Sequence, residues 1–331
     1  MRSVLAGITA LAVVCTAALP AFAQDQIKIG LGFGMAFLPI YVCQDLKLIE
    51  KHAKALHLDV KVSYQRVLGA GPVQAALGSG EIDIGPVGTA PLLAAWEKGK
   101  DTPAQILAVS GLTTLPMTLV TNQANVAGLA DFKSSDRIAM PSLTAPQMYV
   151  LQMQSEKVLG AYDKLHEQVV AMSPADAITA VVAGAGSATA YFASPPYAQI
   201  ALHDSRVHRV LSSTEVMSGK ASFLMLGATR AFIEAHPQIP DVIDKAIDEA
   251  ARVIRDDPRR AAQIFLTHEP SMTLNSATAE AVLREIKDEF GSAVHGVQTF
   301  ADFMSRHGEL KSPPKSWKDI VAPSLQSSPS T

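Results

Sequence analysis

The side chains able to do acid–base, nucleophilic or metal chemistry are scattered along this 331-residue chain rather than grouped. His52 and His57 lie five apart on a charged helical run and its exit, and His203 and His208 flank the polar turn HDSRVH. Both pairs fit a solvated surface better than a metal site. No G-x-S-x-G, C-x-x-C or H-E-x-x-H pattern occurs. The stretch GLGFGMAF holds Gly30, Gly32 and Gly34 but lacks the G-x-G-x-x-G spacing of a dinucleotide loop. Asp83 falls at a strand end, where a carboxylate satisfies nearby backbone. Cys43 sits among apolar residues at helical spacing, as a small core side chain does. This inventory predicts no catalytic residue, no metal site and no cofactor.

What the chain offers instead is backbone. The segment GPVGTAPLLAAW (85–96) follows the apolar run IDIG and leads through Gly88, Thr89 and Pro91 into a helix, with no acid, base or nucleophile in it. Four further loops have the same character: GFGMAFLP, VLGAGPV, MPSLTAPQ (140–147) and FASPP (192–196). Each puts Gly, Ser or Thr between a strand and a helix. Ordinary capping explains any one of them. Together they matter because open α/β sheets bind ligands beyond the carboxyl ends of their strands. The free N–H groups and positive dipole of a helix start suit an anion there without Lys or Arg.

The elements that would position these loops alternate. IKIGLGF, LDVKVSYQ and IDIG read as strands; PIYVCQDLKLIEKHAKAL and GPVQAALGSG read as helices between them. Short strand–helix units imply a parallel sheet wrapped by helices. The strand-like runs AQILAVSGL and PMTLVTN and the polar connector ADFKSSD precede a second set of units from RIAMP to PPYAQIAL. ASFLMLGAT (221–229) then reads as a strand returning to the first set, and the rest is mostly helical. The expected organisation is a first lobe of residues 24–121 and 214–331, with a second lobe, 122–213, inserted into it.

The N-terminus reads as an export leader: Met1-Arg2, the apolar run VLAGITALAVVCTAAL and the small-x-small site AFA, with cleavage expected near Ala23. The run is short for a membrane span. Cys15 would leave with the leader, so Cys43 would have no disulfide partner in the mature chain. The formal net charge is −3. No basic patch of the kind that binds nucleic acid is present.

The segments IKIGLGFGMAFLPIYVCQDLKLIEKHA, ALGSGEIDIGPVGTAPLL, AHPQIPDVIDKAIDEAARVIRDDPRRAA and FADFMSRHGELKSPPKSWKDI carry a resemblance that runs over nearly the whole mature chain. They are similar to the periplasmic solute-binding proteins of ABC importers in the nitrate, sulfonate and taurine group, which includes binders of thiamine-precursor pyrimidines. The resemblance implies a type II two-lobed α/β periplasmic binding protein, each lobe a sheet flanked by helices, with two crossing segments and the ligand in the cleft. It implies a monomer that hands a small molecule to the permease and ATPase subunits of an importer. Carried over by position, the pocket falls on Phe33, Gly34, Met35, Ala36 and Phe37; Gly69, Gly71 and Pro72; Val87, Gly88 and Thr89; Ser142, Thr144, Ala145 and Gln147; and Phe192 and Ser194. None of these segments contains the Lys or Arg that oxyanion binders often add; Arg66 is the nearest candidate. Phe33, Met35, Phe37 and Phe192 imply a ligand with an apolar body: an organosulfonate, or a neutral aromatic or heterocyclic solute. Thr89 is expected to offer its hydroxyl to that ligand's polar end. Two other readings stay open. Relatives in thiamine and menaquinone pathways are enzymes on the same scaffold, and a periplasmic sensing subunit would look the same in sequence.

Overall fold

Short apolar strands followed by helices organise the chain, as seen in a computed structural model that describes residues 25–184, 187–270 and 274–327. The expected leader and its cleavage site lie outside the described residues. The first run comprises β1 (Asp25–Leu31), α1 (Leu38–Leu46), α2 (Leu48–Ala55), β2 (Val60–Arg66), α3 (Ala70–Ser79), β3 (Gly85–Gly88), α4 (Thr89–Lys98) and β4 (Ile106–Thr113). The second comprises β5 (Thr118–Thr121), β6 (Ile138–Met140), α5 (Pro146–Leu159), β7 (Val169–Ala171), α6 (Pro174–Ala183), β8 (Ala190–Ala193), α7 (Tyr197–Leu202) and β9 (His208–Ser212). The chain continues through α8 (Ser213–Met217), β10 (Leu224–Thr229), α9 (Arg230–Ala235), α10 (Ile239–Asp256), α11 (Pro258–His268), α12 (Ser276–Ile286) and α13 (Val297–Arg306).

Among the described residues the strands form a two-, a three- and a five-stranded sheet, the first two lying side by side in an order that matches the third. In the first lobe β1 pairs in parallel with β2, an isolated parallel bridge from Ile29 to Ile84 places β3 beside β1, and β10 runs antiparallel between β3 and β4. In the second the order is β7-β6-β8-β5-β9, with β5 antiparallel to β8 and β9. In each lobe the strand next to one edge (β10 or β5) arrives from the other lobe. The crossings therefore run over 114–117 and 213–223. The boundary expected at 122 moves back accordingly. PMTLVTN reads locally as a strand, but only its pairing with β8 and β9 assigns it to the second lobe.

Most of the C-terminal third packs on the first lobe, and α10 shows why; α13 also reaches α5 of the second lobe, where Arg306 and His307 pair with Glu156. Ile239, Val242, Ile243, Ala246, Ile247, Ala250, Ala251 and Ile254 recur at helical spacing and are all buried. That stripe lies against α1, α2 and β4. Cys43, fully buried on α1, meets it with Sγ 3.5 Å from the Ala246 carbonyl oxygen. The helical run is divided where Pro240 and Pro258 enter first turns, positions at which a missing N–H costs no helical bond. Asp257 caps the second start, accepting the Arg260 N–H at 3.0 Å. Asp83 likewise serves the backbone, accepting the Lys28 N–H at 2.8 Å.

Candidate ligand-binding cleft

The strand-end loops meet where one lobe touches the other. Gly88 ends β3, and α4 starts at Thr89; Pro146 opens α5 in the second lobe. A Cβ built on Gly88 would stand 2.8 Å from Pro146 Cγ and 3.2 Å from its Cδ, so glycine is what lets these loops come together. Beside this contact Gln147 is 1% exposed, and its Oε1 has no hydrogen-bond partner. A buried amide oxygen left unpaired is costly and points to a donor it would accept from. Ala145, buried, is the N-cap residue of α5, while Ser142 is half-buried and Thr144 exposed, their hydroxyls 3.4 Å apart.

Thr89 behaves differently from expectation. It is 0% exposed, and its Oγ1 donates to the Ser222 carbonyl oxygen at 2.5 Å. Its proton is thus committed to the segment that crosses back to the first lobe, rather than offered to a ligand. Thr89→Ala should therefore cost about 1–3 kcal/mol of stability, because it leaves a buried carbonyl short of a donor. Thermal melts should show the drop, with solute affinity little changed in calorimetric titration.

The first loop divides into two roles. Met35, Ala36 and Phe37 form a 3₁₀ turn whose side chains are buried, Met35 at 0% exposure. Phe37 packs on Gly32, where an added Cβ would stand 2.6 Å from the ring's Cζ. The apolar wall expected from Met35 and Phe37 is first-lobe core instead. Val87 and Phe192 are likewise buried in the hydrophobic core. Phe33 alone of these turns outward, 52% exposed, with the Arg66 guanidinium 3.9 Å from its ring centroid. Gly69, with φ +91°, sits at the N-cap of α3, and Gly71 and Pro72 are exposed in its first turn. The Ser194 carbonyl accepts the Tyr197 N–H at 2.9 Å, starting α7 in the second lobe.

Tyr41, His268 and Glu269, which are absent from the expected residues, join Gly34 and Arg66 in a cluster against this loop. The Glu269 carboxylate, at the end of α11, accepts the Gly34 N–H with both oxygens, at 2.8 and 2.9 Å. Tyr41 on α1 also donates its hydroxyl to Glu269. Arg66 lies 3.9 Å from the same carboxylate and donates to the Gly32 carbonyl, the Tyr41 oxygen (3.1 Å) and the His268 carbonyl (3.2 Å). His268 stacks on Tyr41 with ring centroids 4.7 Å apart, and its Nε2 lies 2.7 Å from Asp45. Burial pushes the Tyr41 phenol up, and the bond to Glu269 adds to this, so Tyr41 stays a donor. Burial raises the Glu269 carboxyl; Tyr41, the Gly34 N–H and Arg66 oppose that rise. The charge of Glu269 is also felt by Tyr197 in the second lobe, whose phenol is raised by burial first and by Glu269 second. No spacing in the sequence announces Glu269, because 235 residues separate it from Gly34.

A separate groove of about 640 Å³ lies beside α10, lined by Asp244, Lys245, Arg252, Arg255, Asp288 and Ser292 among others. None of the expected ligand residues lines it.

Two lobes of matching sheet order, joined by two crossings and meeting through their strand-end loops, define the class: the chain has the fold of the periplasmic binding proteins. Particular solved structures share it. The periplasmic aliphatic sulphonate-binding protein SsuA from Escherichia coli is 18% identical, with TM-score 0.69, covering 91% of this chain and 99% of that one. The alkanesulfonate-binding protein SsuA from Xanthomonas axonopodis pv. citri, bound to MOPS, is 18% identical, with TM-score 0.69, covering 90% and 96%. The periplasmic nitrate-binding protein NrtA from Synechocystis PCC 6803 is 14% identical, with TM-score 0.64, covering 88% and 83%. No family model and no curated protein matches the sequence.

Proposed function

We propose that this protein is the periplasmic substrate-binding component of an ABC importer, in the nitrate, sulfonate and taurine family. It captures a small organic solute between its lobes and presents it, as a monomer, to a permease and its ATPase. The chain reaches the periplasm through a leader cleaved near Ala23. One observation carries the reading: loops from the two lobes meet at Gly88 and Pro146, on the carboxyl side of both sheets, where open α/β sheets bind. Closure is then a shift toward the state in which the solute touches both lobes. The outward ring of Phe33 and the unpaired Oε1 of Gln147 support a solute with an apolar body and a hydrogen-bond donor.

A thermal-shift screen of alkanesulfonates, pyrimidines and aromatic acids tests this. At a hundredfold excess over Kd, a solute binding only the folded state adds about 2.7 kcal/mol. For a chain of this size that amounts to a rise of roughly 4 °C. A screen without any shift, or turnover of a compound by the purified protein, would overturn the receptor reading.

A further inference from the structure

We propose that Glu269 selects the ligand: its carboxylate holds the position an anionic solute group would take at the first loop, and so turns the cleft toward solutes that are uncharged or cationic at that end. The inference deepens the receptor reading above and rests on it for the place of the ligand.

The first loop offers three groups that suit an oxyanion. They are the Gly34 N–H, the Tyr41 hydroxyl and the Arg66 guanidinium, gathered where β1 and β2 end. The first two donate to Glu269, and the Arg66 guanidinium stands 3.9 Å from it while its own N–H groups bond elsewhere. Arg66 is the cation that stands nearest the expected pocket segments in sequence, and the Glu269 carboxylate 3.9 Å away offsets its charge. The carboxylate is no loose surface group; its side chain is 11% exposed and is reached by both backbone and side-chain donors. An incoming sulfonate or carboxylate would have to displace Glu269 or share its donors with a second negative charge. Either costs binding energy, since like charges in a partly buried site repel more strongly than in water. An aromatic or heterocyclic solute meets no such cost. It can lie on the face of Phe33 away from Arg66, and a positive charge on it would be attracted rather than repelled by the Glu269 carboxylate.

Isothermal titration of 1-butanesulfonate and of inorganic sulfate into the wild-type protein, Glu269→Gln and Glu269→Ala tests the assignment. Glutamine keeps the shape and can still accept from Gly34, whereas alanine clears the position. Near-ultraviolet circular dichroism checks that each variant keeps its native packing. The expected result is at least a tenfold gain in affinity for 1-butanesulfonate in both variants, including binding that emerges only in the variants. A purely structural carboxylate would give no gain. Equal affinity within twofold in all three proteins, absent binding in all three, or weaker binding in the variants would overturn the proposal. The receptor reading is decided separately, by whether an uncharged aromatic solute stabilises the wild-type protein.

Discussion

Gly88→Val is expected to weaken solute binding by about ten- to a hundredfold while the melting temperature stays near that of the wild type. Position 88 has φ −72°, which valine adopts without strain. The obstacle is across the cleft, where Pro146 Cγ would lie 2.8 Å from the new Cβ. Pro146 is a rigid ring in the first turn of α5, so relief must come from separating the lobes. Overpacking typically costs about 1–3 kcal/mol, and it falls on whichever state brings Gly88 against Pro146, which the clamp reading takes to be the closed one. At about 1.4 kcal/mol per tenfold, affinity follows. Small-angle scattering adds a structural readout: the variant should keep its unliganded radius when solute is added. Wild-type affinity together with normal compaction would mean that Gly88 and Pro146 do not meet on closure.

Phe33→Ala should weaken binding of an aromatic solute by about tenfold or more, with little change in stability. The ring is half exposed, so its loss leaves no cavity in the core. Aromatic pairs contribute about 0.5–1.5 kcal/mol beyond the area they bury, and burial of the solute's ring adds to this. Phe33→Tyr keeps the ring and should retain most of the affinity. Titration calorimetry of both variants, with melts alongside, separates a ligand platform from a loop residue. Unchanged affinity in Phe33→Ala would remove Phe33 from the pocket.

The order of elements was legible because it is local: alternating apolar strands and helices in short units, each loop marked by Gly, Pro, Ser or Thr. ASFLMLGAT was legible as a strand standing alone among helices. Pairing was not. Thr118–Thr121 looks the same in either sheet, and only partners about seventy and ninety residues later fix it in the second. The strand-end loops were legible, but the directions of their side chains were not. Met35 and Phe33 are both apolar residues of one glycine-rich segment, yet one is core and the other faces outward. A 3₁₀ turn beginning at Met35 decides this, and composition carries no trace of it. Thr89 shows the same limit, since its hydroxyl bonds to a carbonyl 133 residues away. Glu269 escaped notice altogether. Its neighbourhood, LTHEP, reads as a helix end, and its role exists only because α11 packs on α1. Arg66 was visible as a nearby cation, but its neutralisation was not.

Hydrogen–deuterium exchange of the wild-type protein, with and without a solute taken from the thermal screen, bears most directly on the claim that ligand is held between the lobes. Solute should slow exchange together in residues 32–37 and 85–89 of the first lobe and in 141–147 of the second. Protection confined to one lobe, or centred on the groove beside α10, would contradict a clamp that closes on its ligand.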